Sequence, residues 1–286
     1  MGCFGATLTT GAAAQGAPVP PAAGPAAPGP SLPVPAAPRT ATAAPAPDQL
    51  ALIRGRGELL VCIWTEYFAI SWRNPRTGDL EGLDVDMAQA LATRLRVALR
   101  FIETNFAEFA SRLERGDCDI AMMAVGITPT RAARVAFSKP YLSSPVYAVT
   151  TRENLRIRSW ADLDRPGNVI AVSAGTVMEG LMRDTLQSAE LLVVHQPGTR
   201  EAEVLSGRAD AFMTDYPYTR RVMQTYPWAR VLDPPGRFGD TLYAYAVPRN
   251  DRAWLDEVNA FLSSAKVDGT LARAAAKHGL TAIVMY

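Results

Sequence analysis

Hydrophobic and polar residues alternate between strand-like and helix-like patterns from residue 50 onward. The apolar run at 59–63 predicts a short buried strand, and the apolar residues of 85–97 recur at helical spacing, with Asp84 or Asp86 able to cap the helix start. Further elements are a helix at 105–114 ended by Gly116, a buried strand at 119–125, and a short helix from Pro129 capped by Thr128. Alternating strands and helices are typical of an α/β fold.

The same pattern restarts in the second half of the chain. Strands are predicted at 169–172, 191–194, 209–214 and 242–247, and helices at 176–186, 200–206, 254–264 and 271–277. Two α/β units therefore follow one another and join near residues 145–150. Folds of this kind bind ligands at the carboxyl ends of their strands, in the cleft between facing units.

Residues 1–48 have a different composition from the rest. They hold eleven of the 22 prolines, long alanine runs and a single charged residue, Arg39, before Asp48. Such a segment cannot bury enough apolar surface to offset its ordering entropy, so we expect a disordered tether. The start, Met1-Gly2-Cys3, shows no complete secretion signal; it is either a lipid-modified terminus acylated on Cys3 or an arbitrary beginning. No run of about 20 apolar residues predicts a membrane span.

Charge and composition exclude several classes of function. Lys plus Arg total 29 and Asp plus Glu total 28, so no net field attracts nucleic acid. His195 and His278 stand alone, and Cys3, Cys62 and Cys118 lack the paired spacing of a zinc site. We therefore expect no metal, no cofactor and no histidine-based nucleophilic catalysis, and we interpret Cys62 and Cys118 as small buried hydrophobic side chains.

Four ordered motifs resemble the extracellular solute-binding proteins of polar-amino-acid transporters, over roughly residues 50–279. They are GLDVDM at 82–87, ITPTR at 127–131 with FSKPY at 137–141, DAFMTD at 210–215, and the weaker DGTL at 268–271. The resemblance implies a two-lobed α/β periplasmic-binding-protein fold, each lobe a mostly parallel sheet flanked by helices, joined by a two-strand hinge. The implied lobes are 49–147 plus 245–286, and 148–244.

Three residues match the chemistry of an amino-acid backbone. The guanidinium of Arg131 can grip a carboxylate with two parallel hydrogen bonds and stays charged when buried. Asp215 ends an apolar strand and suits an α-ammonium group, and Thr176 begins a helix and can offer its backbone N–H to the carboxylate. In the family that the motifs resemble, the residues that match Arg131 and Asp215 take these roles. Arg131 as a surface ion pair, and Asp215 or Thr176 as plain helix caps, remain the alternatives.

Five further residues complete the candidate ligand site. Tyr67 matches an aromatic that covers the ligand in the family, and Trp72 follows it in the same loop. Gly126 stands where the family has a small hydroxyl residue, and Val177 where a second polar residue is common, so the pocket is less polar than the family pattern. The full set of candidate ligand-binding residues is Tyr67, Trp72, Ala124, Gly126, Arg131, Thr176, Val177 and Asp215.

The function expected from this resemblance is binding of a small zwitterion, an amino acid, outside the cytoplasm by a monomer. The partner is then the membrane permease of an ABC transporter. An enzyme alternative is a cyclohexadienyl dehydratase, whose run is similar to residues 84–89; the glutamate that this branch carries after the glycine-threonine turn is Met178 here, with Glu179 one residue later. A second alternative is a ligand-sensing module for a membrane partner.

Overall fold

The computed structural model describes Gly24 and residues 48–286, so all but two residues of the predicted tether lie outside the described part. The first lobe begins with a helix that the sequence pattern did not predict. Its elements are α1 (Gln49–Arg56), β1 (Glu58–Ile63), β2 (Glu66–Tyr67), β3 (Ser71–Arg73), β4 (Leu80–Glu81), α2 (Leu83–Leu95), β5 (Ala98–Glu103), α3 (Phe109–Arg115), β6 (Ile120–Gly126), α4 (Pro129–Ala132), β7 (Val135–Phe137) and β8 (Leu142–Ser144).

The second lobe follows directly, and the chain then returns to the first. The second lobe holds β9 (Val146–Thr151), a 3-10 turn (Trp160–Asp162), β10 (Val169–Ser173), α5 (Val177–Thr185), β11 (Glu190–Val194), α6 (Arg200–Leu205), β12 (Ala211–Asp215), α7 (Tyr216–Thr225) and β13 (Ala229–Leu232). The returning segment holds β14 (Thr241–Pro248), α8 (Arg252–Val267), α9 (Thr270–Lys277) and a 3-10 turn (Thr281–Ile283).

Each lobe is built around its own sheet. The first sheet has the order β5-β1-β6-β14-β7, with β8 also paired to β14, and the second has the order β11-β10-β12-β9-β13. The first three strands of each order, β5-β1-β6 and β11-β10-β12, are parallel to one another. The strands that follow them in each sheet pair antiparallel to their neighbours. A small third sheet, β2-β3-β4, lies beside the first.

The two connections between the lobes run side by side. Because β9 already belongs to the second sheet and β14 pairs with the first, we place the crossings at Pro145 and at residues 233–240, a few residues before the boundaries expected from sequence. Thr241 is paired with Ser144 where the two crossings meet.

The burial pattern explains why these segments form these elements. In β1, Leu59 and Val61 pack into one apolar cluster, whereas Leu60 and Cys62 pack into another on the opposite face. Successive strand residues point to opposite faces, so a strand covered on both sides must be apolar throughout. Helix α2 instead buries a stripe along one face, because only that face meets the rest of the lobe; its buried residues are Leu83, Asp84, Met87, Ala88, Leu91, Ala92 and Leu95.

Cys62 and Cys118 correct a prediction from sequence. Both side chains are fully buried, as expected, but they form a disulfide bond, with their Cα atoms 5.6 Å apart. Strands β1 and β6 are parallel neighbours, with Cys62 opposite Ala121, so Cys118 just before β6 lies beside Cys62. The sequence separation of 56 between the cysteines concealed this contact, since strand order cannot be read from spacing.

The predicted caps are correct at some helix ends and wrong at others. Neither Asp84 nor Asp86 caps α2, whose N-cap is Gly82 without a side-chain hydrogen bond. Thr128 caps α4, and its hydroxyl accepts a hydrogen bond from the backbone N–H of Arg131 at 3.2 Å. Gly116 ends α3 in the left-handed conformation, whereas Asn105 caps a turn that precedes this helix, which starts only at Phe109. Among the described residues, none of the helices has the length and apolar character needed to cross a membrane.

Candidate functional site

A small cavity of about 40 Å³ lies between the two lobes. Seven of the eight candidate residues line it: Tyr67, Ala124, Gly126, Arg131, Thr176, Val177 and Asp215. The eighth, Trp72, does not; it lines a wider outer cleft of about 890 Å³ and packs edge-on against Phe68, with 5.2 Å between ring centroids. The outer cleft shares several lining residues with the cavity and so forms its entrance.

Arg131 reaches the cavity from the short helix α4 in the first lobe. Its Nη1 donates to the carbonyl of Gly126 at 2.8 Å, and its Nη2 donates across the cleft to the carbonyl of Gly175 at 2.8 Å. The guanidinium also lies over the ring of Phe106, with its Cζ 5.3 Å from the centroid. Burial lowers the pKa of Arg131 to about 10, so the group stays protonated at neutral pH.

Asp215 faces Arg131's lobe from the end of β12. Its Oδ2 accepts hydrogen bonds from the hydroxyls of Tyr67 and Tyr243, the latter at 2.9 Å, and both tyrosines belong to the first lobe. Its Oδ1 accepts from the backbone N–H of Tyr218 at 3.2 Å, so the residue also caps α7. Burial raises the pKa of Asp215, and these three hydrogen bonds oppose the rise.

Gly126 and Val177, the two departures from the family pattern, lie against each other across the cleft. A Cβ atom on Gly126 would come within 2.5 Å of a Val177 methyl carbon and 2.8 Å of a Thr241 methyl carbon. The missing hydroxyl side chain and the added apolar one therefore compensate in volume, and the lobes approach closely at this point. The backbone N–H of Thr176 donates to the carbonyl of Ser173 at 3.3 Å in this structure.

Asp84, from the GLDVDM motif, shapes the cavity wall without lining it. Its Oδ2 accepts from the backbone N–H of Ala124 at 2.7 Å, and Ala124 has a φ of 47°, a conformation that L-residues rarely adopt. The hydroxyls of Tyr141 and Tyr245 donate to the same carboxylate. Burial raises the pKa of Asp84 to about 7. Asp84 is thus a positioning residue for the strand that leads to Arg131.

Three aromatic rings form one wall of the cavity. Trp64, Tyr67 and Phe106 contact one another with centroid distances of 5.3 to 5.8 Å. The indole Nε1 of Trp64 is buried and has no hydrogen-bond partner among the described residues. A buried donor without a partner is unfavourable, so the indole N–H lowers the stability of this aromatic wall.

Several cavity residues were missed from sequence, namely Phe106, Met178, Arg200, Tyr218 and Tyr243. Tyr243 was assigned only to a strand, and Arg200 only to a helix start. The alternation of Tyr243, Tyr245 and Val247 along β14 signals that these side chains share one face, but no local pattern identifies Arg200 as a cavity residue. Within the described residues, no three His, Cys, Asp or Glu side chains are grouped as a metal site would need.

Two lobes with separate sheets, joined by two adjacent crossings and enclosing a cavity, define a periplasmic-binding-protein fold. The model of the bacterial extracellular solute-binding proteins, family 3, matches residues 59–281, and the chain belongs to this family. It is 30% identical to cyclohexadienyl dehydratase of Pseudomonas aeruginosa, over 81% of this chain and 86% of the relative. It is 25% identical to the ABC transporter glutamine-binding protein GlnH of Bacillus subtilis, over 78% of this chain and 81% of the relative.

Solved structures show the same similarity. The ancestral amino-acid-binding protein AncCDT-1, described as a precursor of cyclohexadienyl dehydratase, superposes with a TM-score of 0.73 at 31% identity, over 80% of this chain and 98% of that one. A mutant of ArgBP from T. maritima gives a TM-score of 0.73 at 25% identity, with the same coverage.

Proposed function

We propose that this protein binds one amino acid in the cavity between its lobes and delivers it to an ABC transporter. The observation that carries the proposal is that a buried guanidinium from one lobe and a buried carboxylate from the other line the same cavity. An α-amino acid carries the complementary pair of charges. Relatives named as amino-acid-binding proteins of ABC transporters support this assignment.

The present hydrogen bonds of Arg131 and Asp215 indicate which contacts a bound ligand would replace. Arg131 donates to two backbone carbonyls, and a ligand carboxylate would replace them with stronger charge-assisted hydrogen bonds. Asp215 accepts from neutral tyrosine hydroxyls, and a ligand ammonium would add an opposite charge beside it. Both exchanges favour the ligand because they pair charges that are buried.

We place the protein outside the cytoplasm as a monomer, with a membrane permease as its partner. The family is described as extracellular, and the buried disulfide between Cys62 and Cys118 fits an oxidising compartment. Anchoring through a lipid on Cys3 is a further part of the proposal. It is tested by the mass of the protein purified from membranes of its own host, which would exceed the chain mass by the acyl groups.

A dehydratase is the second candidate, because cyclohexadienyl dehydratase is a relative at 30% identity. Two observations favour binding over catalysis. Met178, at the position expected for the acid of that branch, lines the cavity. Glu179 is not among the lining residues, and its Oε2 instead accepts from the backbone N–H of Gly175 at 2.7 Å. General-acid catalysis needs an acid within hydrogen-bond reach of the leaving group.

A thermal-shift screen with the twenty amino acids tests the proposal. A ligand at about 100 times its dissociation constant stabilises the folded state by about 2.7 kcal/mol, which gives a clear rise in Tm. We expect one amino acid or one chemical group of them to raise Tm. Incubation with prephenate or arogenate should give no aromatic product. A Tm that no amino acid raises, or formation of aromatic product, would contradict the proposal.

A further inference from the structure

Arg200 is a second buried guanidinium in the same cavity, and amino-acid binding as proposed above assigns it no role. It is the first residue of α6 in the second lobe, and it is 8% exposed. Its Nη1 donates to the backbone carbonyl of Met213 at 2.6 Å. Its Cζ lies 5.0 Å from the ring centroid of Phe212 and 4.7 Å from that of Tyr218. Strand β12 and helix α7 therefore hold it in place.

The charges of the cavity do not balance. Within residues 48–286, Asp215 is the carboxylate that lines the cavity, against the two guanidinium groups of Arg131 and Arg200. No ion pair joins either arginine to a carboxylate in the described part of the chain. Glu201, the next residue after Arg200, lines the outer cleft, and Arg200 lies where the cleft meets the cavity and lines both.

A neutral zwitterion would leave one of these cations without a partner. Its carboxylate would pair with Arg131 and its ammonium with Asp215, so Arg200, whose positive charge lowers the pKa of Asp215 against the rise from burial in this structure, would then share that single carboxylate with the ligand ammonium. An unpaired buried charge is strongly unfavourable, and a cationic ligand side chain would add to the imbalance. A ligand with a second carboxylate removes this imbalance of charge in the cavity. The guanidinium has five N–H donors, and the contacts to Met213 use one of them, which leaves donors for such a group.

We infer that the ligand is an acidic amino acid whose second carboxylate is bound by Arg200. The inference rests on the proposed function and narrows its substrate class. The class differs from the arginine or lysine that is bound in several similar structures.

The test is calorimetric titration of the full chain with L-glutamate, L-aspartate, L-glutamine and L-arginine. We expect L-glutamate or L-aspartate to bind at least about a hundredfold tighter than L-arginine, because pairing or failing to pair a buried charge is worth roughly 3–5 kcal/mol. Arg200→Gln should weaken binding of the acidic ligand by about a hundredfold or more and abolish its advantage over L-glutamine.

Two further variants keep the result interpretable. Arg200→Lys retains the charge and should retain the preference for the acidic ligand, even where the loss of the Met213 contact lowers Tm. Arg208→Gln removes an arginine of the same lobe whose side chain is 64% exposed and should change nothing. The inference of an acidic ligand is overturned if L-arginine or L-glutamine binds more tightly than L-glutamate and L-aspartate. It is also overturned if Arg200→Gln keeps full affinity for the acidic ligand. In both cases the proposed function still stands. Failure of every amino acid to bind overturns the proposed function as well.

Discussion

Among single residues, the buried carboxyl of Asp84 links the GLDVDM motif at 82–87 to the cavity wall. It accepts a hydrogen bond from the backbone N–H of Ala124, which holds a left-handed backbone conformation beside the cavity. Asp84 is fully buried and has no cationic partner among the hydrogen bonds it makes, which come from Tyr141, Tyr245 and Ala124. Its protonation must therefore change the stability of the fold.

Asp84→Asn should alter how stability depends on pH. The folded pKa of about 7 exceeds the unfolded value of 3.8, so the folded state takes up a proton that the unfolded state releases. The stability that this proton contributes is fully present below the unfolded pKa and is lost as pH rises through 7. We expect the advantage of wild type over Asp84→Asn to fall by a few kcal/mol, roughly 3, between pH 4.5 and 7.5.

Urea denaturation of both proteins at the two pH values measures this difference. The comparison with Asp84→Asn is essential because other carboxyls, such as Asp164 and Glu203, have lowered pKa values and act in the opposite direction. A difference between wild type and variant that stays constant with pH would show that Asp84 titrates as an ordinary exposed carboxyl.

Cavity residues could be predicted from the sequence where they lie within a contiguous motif, and could not where their position depends on tertiary packing. Arg131 and Asp215 lie within contiguous motifs, and the structure places both in one cavity. Arg200 has no such motif, because its place in the cavity depends on the packing of α6 against β12 and α7. Trp72 was grouped with Tyr67 by proximity in the chain, but strands β2 and β3 turn the two side chains toward different spaces.

At the scale of elements, the disulfide joins β1 to the start of β6, the strand that leads to Arg131. It closes a loop with a sequence separation of 56 residues, and the chain-entropy model gives about 4 kcal/mol of stabilisation for a loop of that length. The double variant Cys62→Ser, Cys118→Ser should therefore melt roughly 10 °C lower than wild type.

Reducing agent provides the matched control for this prediction. It should lower the Tm of the wild type toward that of the double variant and leave the double variant unchanged. Equal melting temperatures for the oxidised wild type and the double variant would contradict a stabilising role for the bond.

The sequence predicts the bounds of helices and strands well where apolar residues follow a clear period, and it does not predict the short strands β7, β8 and β13. Helix α2 and strand β6 were found within two residues of their observed ends, because their apolar residues follow a clear period. Strands β7, β8 and β13 have three or four residues each and were missed, since a segment this short carries no detectable period.

At the scale of the whole molecule, polar contacts cross between the lobes on both sides of the cavity. Arg131 of the first lobe donates to Gly175 of the second, and Tyr67 of the first donates to Asp215 of the second. A Cβ atom on Gly175 would come within 2.7 Å of the backbone nitrogen of Ala107, so the lobes also touch closely there. Each lobe supplies only part of the ligand's partners, which favours a closed state when the ligand is bound.

Small-angle X-ray scattering should detect this closure as a smaller radius of gyration with bound ligand than without it. The two adjacent crossings near Pro145 and at residues 233–240 provide the hinge for such a motion. A radius of gyration that does not change at saturating ligand would show that binding proceeds without movement of the lobes.

Binding of one amino acid between Arg131 and Asp215 is tested most directly by calorimetric titration of wild type and Arg131→Ala with the amino acid that raises Tm most. The wild type should bind one ligand per chain. Arg131→Ala should lose a factor of several hundred or more in affinity, because removing one partner of a buried charge pair leaves roughly 3–5 kcal/mol uncompensated, while its Tm without ligand stays close to that of the wild type. Unchanged affinity in a folded Arg131→Ala protein would contradict the assignment of this cavity as the binding site.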